Sequence, residues 1–313
     1  MQPEKILFPS RDGKTTIYAE KYVPEKEIRG ILIVAHGMNE HFGSYRELCE
    51  VLSNEGYLVA GPDHLGHGHT ARDHQGEFGY FAENDGATVV VRDLHRLKKL
   101  IQEEYPGKPI FLLGHSMGSF IARNYISMYG TGIQGVIIMG TARFSDLKVR
   151  AGLLYVRLSA LFHGWHYRDR FCTKTSIGPY ENCFPGDGPA GWLCARKEGR
   201  EYDLNDDLGG NGFTLNGYYG LSTLILRMQD KSRINEIPKD LPVLFMSGAE
   251  DPVGEYGAGI KAVEDEYRKA GIRNLSVKLY PGDRHELYHE ADRFNVFFDI
   301  MEFMKEASET WKC

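Results

Sequence analysis

The segment Gly114-His115-Ser116-Met117-Gly118 fits the pattern G-x-S-x-G, in which a serine hydroxyl can serve as a nucleophile. It follows the apolar run PIFLL (Pro109–Leu113) and precedes a helical pattern from Met117 to Tyr129. A strand-to-helix turn this tight puts the serine in a strained backbone conformation. Glycines at 114 and 118 remove side chains that would collide with the neighbouring strand and helix. The hydroxyl then stands at a helix N-terminus, where the dipole and free N–H groups favour a developing anion. Ser116 is therefore the expected nucleophile. In a chain with 36 glycines the pattern alone arises easily by chance, but its place between a strand and a helix does not.

A serine needs a base to take its proton and an acid to orient that base. Above an α/β sheet these follow in chain order as Asp or Glu, then His. Asp251, in SGAEDPVG, follows the strand-like run Pro242–Met246, and His285, in YPGDRHELYHE, follows Leu275–Tyr280. The expectation is that His285 accepts the Ser116 proton while Asp251 holds its tautomer. Glu250 points elsewhere if Asp251 points in, and His289 lies further on, at the start of the last helix. A second tight turn, His36-Gly37, ends the run GILIVA (Gly30–Ala35). It would aim the Met38 N–H at Ser116, with the Met117 N–H as the second oxyanion donor. One such donor is worth roughly 3–4 kcal/mol.

For these residues to meet, their strands must end at one edge of a sheet. The chain supplies them in alternation with helical patterns: strands at Thr15–Tyr22, Gly30–Ala35, Tyr57–Ala60, Pro109–Leu113, Ile133–Met139, Pro242–Met246 and Leu275–Tyr280. Helices are expected at Tyr45–Asn54, Asp85–Glu104, Met117–Tyr129, Gly257–Ala270 and Ala291–Glu306. This order implies an α/β fold, a mostly parallel sheet with helices on both faces. Residues 143–238 interrupt the alternation and are too long for a loop, so they read as an inserted lid between core segments 1–142 and 239–313. The lid opens on an apolar helical stripe. Leu154, Leu158 and Phe162, with Trp192 further on, are the expected acyl-chain contacts, although ordinary lid packing explains the stripe equally well.

Several features point to no chemistry. His64, His67 and His69 alternate like metal ligands, but DHLGHGHT carries two glycines and suits an irregular loop. Cys172, Cys183 and Cys194, spaced at intervals of eleven, match no zinc pattern. No metal is expected. The formal charge of −6, without a Lys/Arg cluster, argues against a nucleic-acid partner. No apolar run is long enough to cross a membrane, and the N-terminus MQPEKILFPSRDGK lacks a secretory apolar core. With five cysteines, an odd count that suits reduced thiols, a cytoplasmic chain is expected.

HGMNEHFGSY (His36–Tyr45), DHLGHGHT (Asp63–Thr70), GHSMGS (Gly114–Ser119), GAEDPVG (Gly248–Gly254) and YPGDRHE (Tyr280–Glu286) together resemble the α/β-hydrolase superfamily. Within it they look like the bacterial lysophospholipase-like and monoacylglycerol-lipase-like branch. The resemblance spans most of the chain outside the insertion. It implies an eight-stranded core, a lid after the sixth strand, and hydrolysis of single-acyl-chain carboxylic esters, small-molecule or lipid, without a cofactor. It carries the triad roles to Ser116, Asp251 and His285 and the oxyanion hole to the Met38 and Met117 N–H groups. Thr70 stands where the family has serine, and the lid matches weakly. Two rivals share the scaffold. A proline-iminopeptidase-like peptidase would need lid carboxylates, such as Asp203, Asp206 or Asp207, to hold a substrate ammonium. A catalytically silent binding protein would be expected to lack a triad member.

Overall fold

Eight strands form one sheet: β1 (Glu4–Pro9), β2 (Thr16–Tyr22), β3 (Gly30–Ala35), β4 (Tyr57–Pro62), β5 (Ile110–His115), β6 (Gly135–Met139), β7 (Val243–Gly248) and β8 (Leu275–Tyr280). The structure is a computed structural model and describes residues 2–309. The spatial order is β1-β2-β4-β3-β5-β6-β7-β8. β1 with β2 and β2 with β4 are antiparallel, and every other pair is parallel. Strands β3 to β7 are buried along their whole length, which is why they read as unbroken apolar runs. β1 has no counterpart in the sequence reading. It is an edge strand, and only Phe8 of EKILFP is fully buried, so no apolar periodicity marks it.

The helices are α1 (Arg46–Asn54), α2 (Gly68–Asp73), α3 (Gly86–Glu104), α4 (Met117–Tyr129), α5 (Asp146–His163), α6 (Arg170–Ser176), α7 (Gly178–Glu181), α8 (Lys197–Leu204), α9 (Leu215–Met228), α10 (Lys231–Asn235), α11 (Ala258–Lys269) and α12 (Arg293–Glu309). α1 and α12 cover one face of the sheet with Leu48, Leu52, Val296, Phe297 and Ile300. α3, α4 and α11 cover the other with Leu94, Leu97, Ile121, Ile126 and Val263. α2 begins inside DHLGHGHT, where an irregular loop was expected.

Strand register explains how distant motifs converge. Ala35 pairs with Gly114, His115 with Met139, Met139 with Met246, and Gly248 with Tyr280. The carboxyl ends of β3, β5, β7 and β8 therefore lie side by side, and the turns that follow them carry His36-Gly37, Ser116, Asp251 and His285.

Helices α5 to α10 fill the interval between β6 and β7. α9 packs against α3, α4 and α5. A buried arginine of α4, Arg123, ties both feet of this insertion to the core. Its guanidinium donates to the Ala142 carbonyl at 2.9 Å and the Thr141 hydroxyl at 3.3 Å at one foot, and to the Met228 carbonyl at 3.4 Å at the other.

Candidate active site

Ser116 caps α4 with φ 51° and ψ −120°, a conformation that costs a non-glycine residue strain and persists only where its surroundings impose it. Its N–H is fixed to the Met139 carbonyl at 3.0 Å. The two glycines of the elbow are sterically required. A Cβ on Gly118 would stand 1.9 Å from the Ala35 carbonyl oxygen, and one on Gly114 would stand 2.3 Å from the Gly118 carbonyl oxygen. The nearby Ser119 hydroxyl is occupied by the Ser116 carbonyl at 2.6 Å.

Asp251 is fully buried after β7. Its Oδ2 lies 3.0 Å from His285 Nδ1 and also accepts from the Ser247 hydroxyl at 3.2 Å, while Oδ1 accepts from the Val253 N–H at 2.8 Å. Burial opposes its charge, yet the His285 ring and these donors hold its carboxyl below the ordinary range. With Nδ1–H donated to Asp251, the basic nitrogen of His285 is Nε2, which is buried and has no hydrogen-bond partner among the described residues. The indole of Trp192 packs on this imidazole with ring centres 5.2 Å apart. Glu250 is exposed, and His289 bonds Glu286 at 3.2 Å.

The turn after β3 brings Met38 beside Ser116 and Met117 at the head of a cleft. Neither the Met38 nor the Met117 N–H donates to another described residue. Two free donors beside a serine can serve an oxyanion. The turn is held from below by Glu40, whose carboxylate accepts from the Gly37 N–H. It is held from the insertion side by Asn39, whose carbonyl accepts from Gly210 N–H at 2.8 Å and whose side chain accepts from Gly212 N–H at 3.1 Å. Next to it, His41 pairs with Asp206 at 3.1 Å. The sequence reading did not single out Glu40. A carboxylate three residues past Gly37, in a turn bound for the interior, was the available signal.

The cleft above Ser116 measures about 610 Å³ and is walled by the insertion. Phe120, Phe144, Val149, Val156, Tyr218 and Ile225 make its sides, with Trp192 near the base. Among the described residues no carboxylate lines it, and Lys148 is the one charged lining residue. Trp192 is where the sequence reading put it. Leu154, Leu158 and Phe162 are not: they lie outside the cleft and are 58%, 50% and 83% exposed. The cause is helical phase. Gly152 and Val156 face the cleft, and residues two positions further on lie roughly 200° round the helix. The apolar stripe was real but belongs to the outer face of α5.

His64, His67 and His69 do not gather into a ligand set. The first two are buried, and His69 turns outward to Asp73 at 2.6 Å. Among the described residues, Asp203, Glu286 and His289 are the three side chains whose ligand atoms come within 4.8 Å of one another. Burial raises the carboxyls of Asp203 to about 10 and Glu286 to about 8. None of the three lines the cleft.

A doubly covered, mostly parallel sheet with a strained serine between β5 and α4, and a buried Asp–His pair after β7 and β8, defines an α/β-hydrolase. The family model described as serine aminopeptidase, S33, matches residues 26–292, and the chain belongs to that family. It is 30% identical over 296 residues to a monoacylglycerol lipase of Mycolicibacterium smegmatis, covering 92% of each chain. It is 26% identical over 302 residues to a monoglyceride lipase homolog of Monkeypox virus, covering 94% of this chain and 93% of the viral one. Among solved structures, a thermostable carboxyl esterase from Bacillus coagulans in complex with glycerol superposes with a TM-score of 0.89 at 29% identity, over 98% of this chain and 99% of that one.

Proposed function

We propose that the chain hydrolyses carboxylic esters of a single acyl chain, monoacylglycerols foremost, through Ser116, His285 and Asp251. The observation that carries this reading is the cleft: about 610 Å³, apolar, open to Ser116 and free of carboxylates. That size falls in the ordinary range for small-ligand sites. The relatives named as monoacylglycerol and monoglyceride lipases support it.

In this reading His285 Nε2 takes the Ser116 proton as Oγ attacks the ester carbonyl. The oxyanion settles on the N–H groups of Met38 and Met117. His285 then gives its proton to the leaving alcohol, and the acyl chain stays on Ser116. Water, deprotonated by His285, attacks the acyl-enzyme and releases the fatty acid and the serine hydroxyl. Asp251 stabilises the imidazolium in both halves. Residues 143–238 act as the lid over a core of 1–142 and 239–313. The outer stripe of α5 fits a lipid–water interface, because Leu147, Leu154, Leu158, Leu161 and Phe162 are all exposed there.

The family description names an aminopeptidase, but that chemistry needs an acid to hold a substrate ammonium. Asp203, Asp206 and Asp207 all lie outside the cleft, Asp203 beside Glu286 and His289 and Asp206 paired with His41, and Lys148 in the cleft repels a cation. No helix among the described residues is long and apolar enough to cross a membrane. A cytoplasmic location is supported by Cys49, Cys172, Cys183 and Cys194, all free; Cys313 lies outside the described residues.

The test is a substrate panel of monoacylglycerols, lysophospholipids and prolyl amides on the native protein and on Ser116→Ala, with fluorophosphonate labelling. Monoacylglycerol turnover and labelling at Ser116, both lost in the alanine variant, are expected. Prolyl-amide cleavage without ester turnover would replace the reading with the peptidase.

A further inference from the structure

Glu40 gathers donors from each segment that the reaction must hold in register. Its Oε1 accepts from the Gly37 N–H, from the Tyr45 hydroxyl at 2.9 Å and from His115 Nδ1 at 2.9 Å, and its Oε2 accepts from the Tyr288 hydroxyl. Gly37 precedes the oxyanion donor Met38. His115 precedes Ser116, and its second ring nitrogen, Nε2, faces the His285 carbonyl at 3.2 Å. Tyr288 lies three residues past His285 and stacks on Tyr45 with ring centres 4.4 Å apart. One buried carboxylate thus spans the oxyanion turn, the elbow and the loop of the base.

The charge state fits that task. Burial pushes the Glu40 carboxyl up, but His115 and the Tyr288 and Tyr45 hydroxyls outweigh it and keep it below the ordinary range. The imidazole against it is that of His115, with Nδ1 2.9 Å from Oε1. A buried carboxylate tolerates this only while its hydrogen bonds are complete, so the donors around it are held rigidly. Glu40 does not line the cleft.

We propose that Glu40 is a positioning residue for ester hydrolysis, fixing the Met38 donor and, through His115, the Ser116 elbow and the His285 loop; this rests on Ser116 and His285 being nucleophile and base. Glu40→Gln keeps the shape but puts an NH₂ group among converging donors, so the turn must shift. Misplacement of reacting groups by about 1 Å costs on the order of 100-fold in rate. The expected result is kcat lowered about 100-fold per Ser116 titrated with fluorophosphonate, with KM within about threefold of the native value. The phosphonylation rate should fall in parallel, because it uses the same oxyanion cradle. A merely structural role would lower the titratable fraction and leave kcat per titrated site unchanged, and that outcome overturns the proposal. Tyr288→Phe removes one donor to Glu40 and keeps the ring stacking. It should lower kcat per site about three- to tenfold with KM unchanged, and it decides the matter alone if Glu40→Gln does not fold. Native kcat in Tyr288→Phe then overturns the proposal. Ser116→Ala is carried alongside: turnover surviving there overturns the catalytic reading itself, whatever Glu40 does.

Discussion

Gly152 offers a direct way to ask whether the acyl chain runs along α5. It lies mid-helix on the cleft side, and a Cβ built there meets nothing within 4 Å. A side chain starting at Gly152 therefore has open space for its Cβ, and Gly152→Phe aims a phenyl ring into the cleft. Replacing a helix-interior glycine by phenylalanine also favours folding by roughly a few tenths of a kcal/mol. In the native enzyme each buried methylene contributes about 0.8 kcal/mol, so kcat/KM should climb roughly fourfold per CH₂ along an ester series until the cleft is full. A phenyl ring that displaces roughly four methylenes removes about 3.2 kcal/mol of that gain, on the order of 200-fold in kcat/KM for a dodecanoyl ester. A butanoyl ester, which ends short of the obstruction, should keep its native rate. The assay is hydrolysis of nitrophenyl esters of increasing chain length, with the melting temperature followed in parallel. Equal losses for butanoyl and dodecanoyl esters at unchanged Tm would place the effect on the chemistry rather than on the channel. No loss for either would mean that the acyl chain takes another wall.

Other expectations follow from the same geometry. Asp251→Asn should leave Tm near native and lower kcat by roughly 10⁴-fold, whereas His289→Ala, aimed at Glu286 rather than Ser116, should retain catalysis; steady-state kinetics of both variants separate the two histidines. Leu158→Asp with Phe162→Asp, on the outer face of α5, should weaken turnover of long-chain esters carried in vesicles while sparing dissolved butanoyl esters, and equal rates on vesicles would remove the interfacial role. Burial lowers the His41 pKa, but Asp206 and Asp63 outweigh it and raise the value above the ordinary 6.5. The stability that His41 contributes is then full below the unfolded value and is lost as pH rises through the raised folded one. Hydrogen-exchange protection of loop 206–212, corrected for the intrinsic rise of exchange with pH, should fall over that range, and Asp206→Asn should reduce the dependence.

Where burial acts on both faces, as along β3 to β7, apolar runs announced the strands to within a residue or two, and three of the four chemistry-bearing turns followed from their exits; the fourth, that of His285, follows the half-exposed β8. Periodicity fails where burial is partial. β1 buries one residue fully, and α6 to α8 are short and mostly exposed, so neither leaves an apolar rhythm. The stripe on α5 misled for a different reason. A sequence shows that a helix has an apolar side but not whether that side meets a pocket or the solvent, and here Leu154, Leu158 and Phe162 meet solvent. Glu40 escaped notice because a carboxylate's role depends on which donors surround it, and three of its four come from Tyr45, His115 and Tyr288.

Arg123 gives the insertion an unusual kind of independence. Its single guanidinium grips the chain where it leaves the sheet, at Thr141 and Ala142, and again near its return, at Met228. Arg123 stands on the same helix that Ser116 opens, so both footings are surveyed from the nucleophile itself. Between the footings, residues 191–212 reach back to the His285 loop and to the oxyanion turn, so the part free to change without moving the reacting atoms is α5 to α7. The cleft walls and the reacting groups thus rest on separate supports: changes in α5 to α7 should alter which acyl chain is admitted, while Arg123→Met should blur the alignment of every substrate alike.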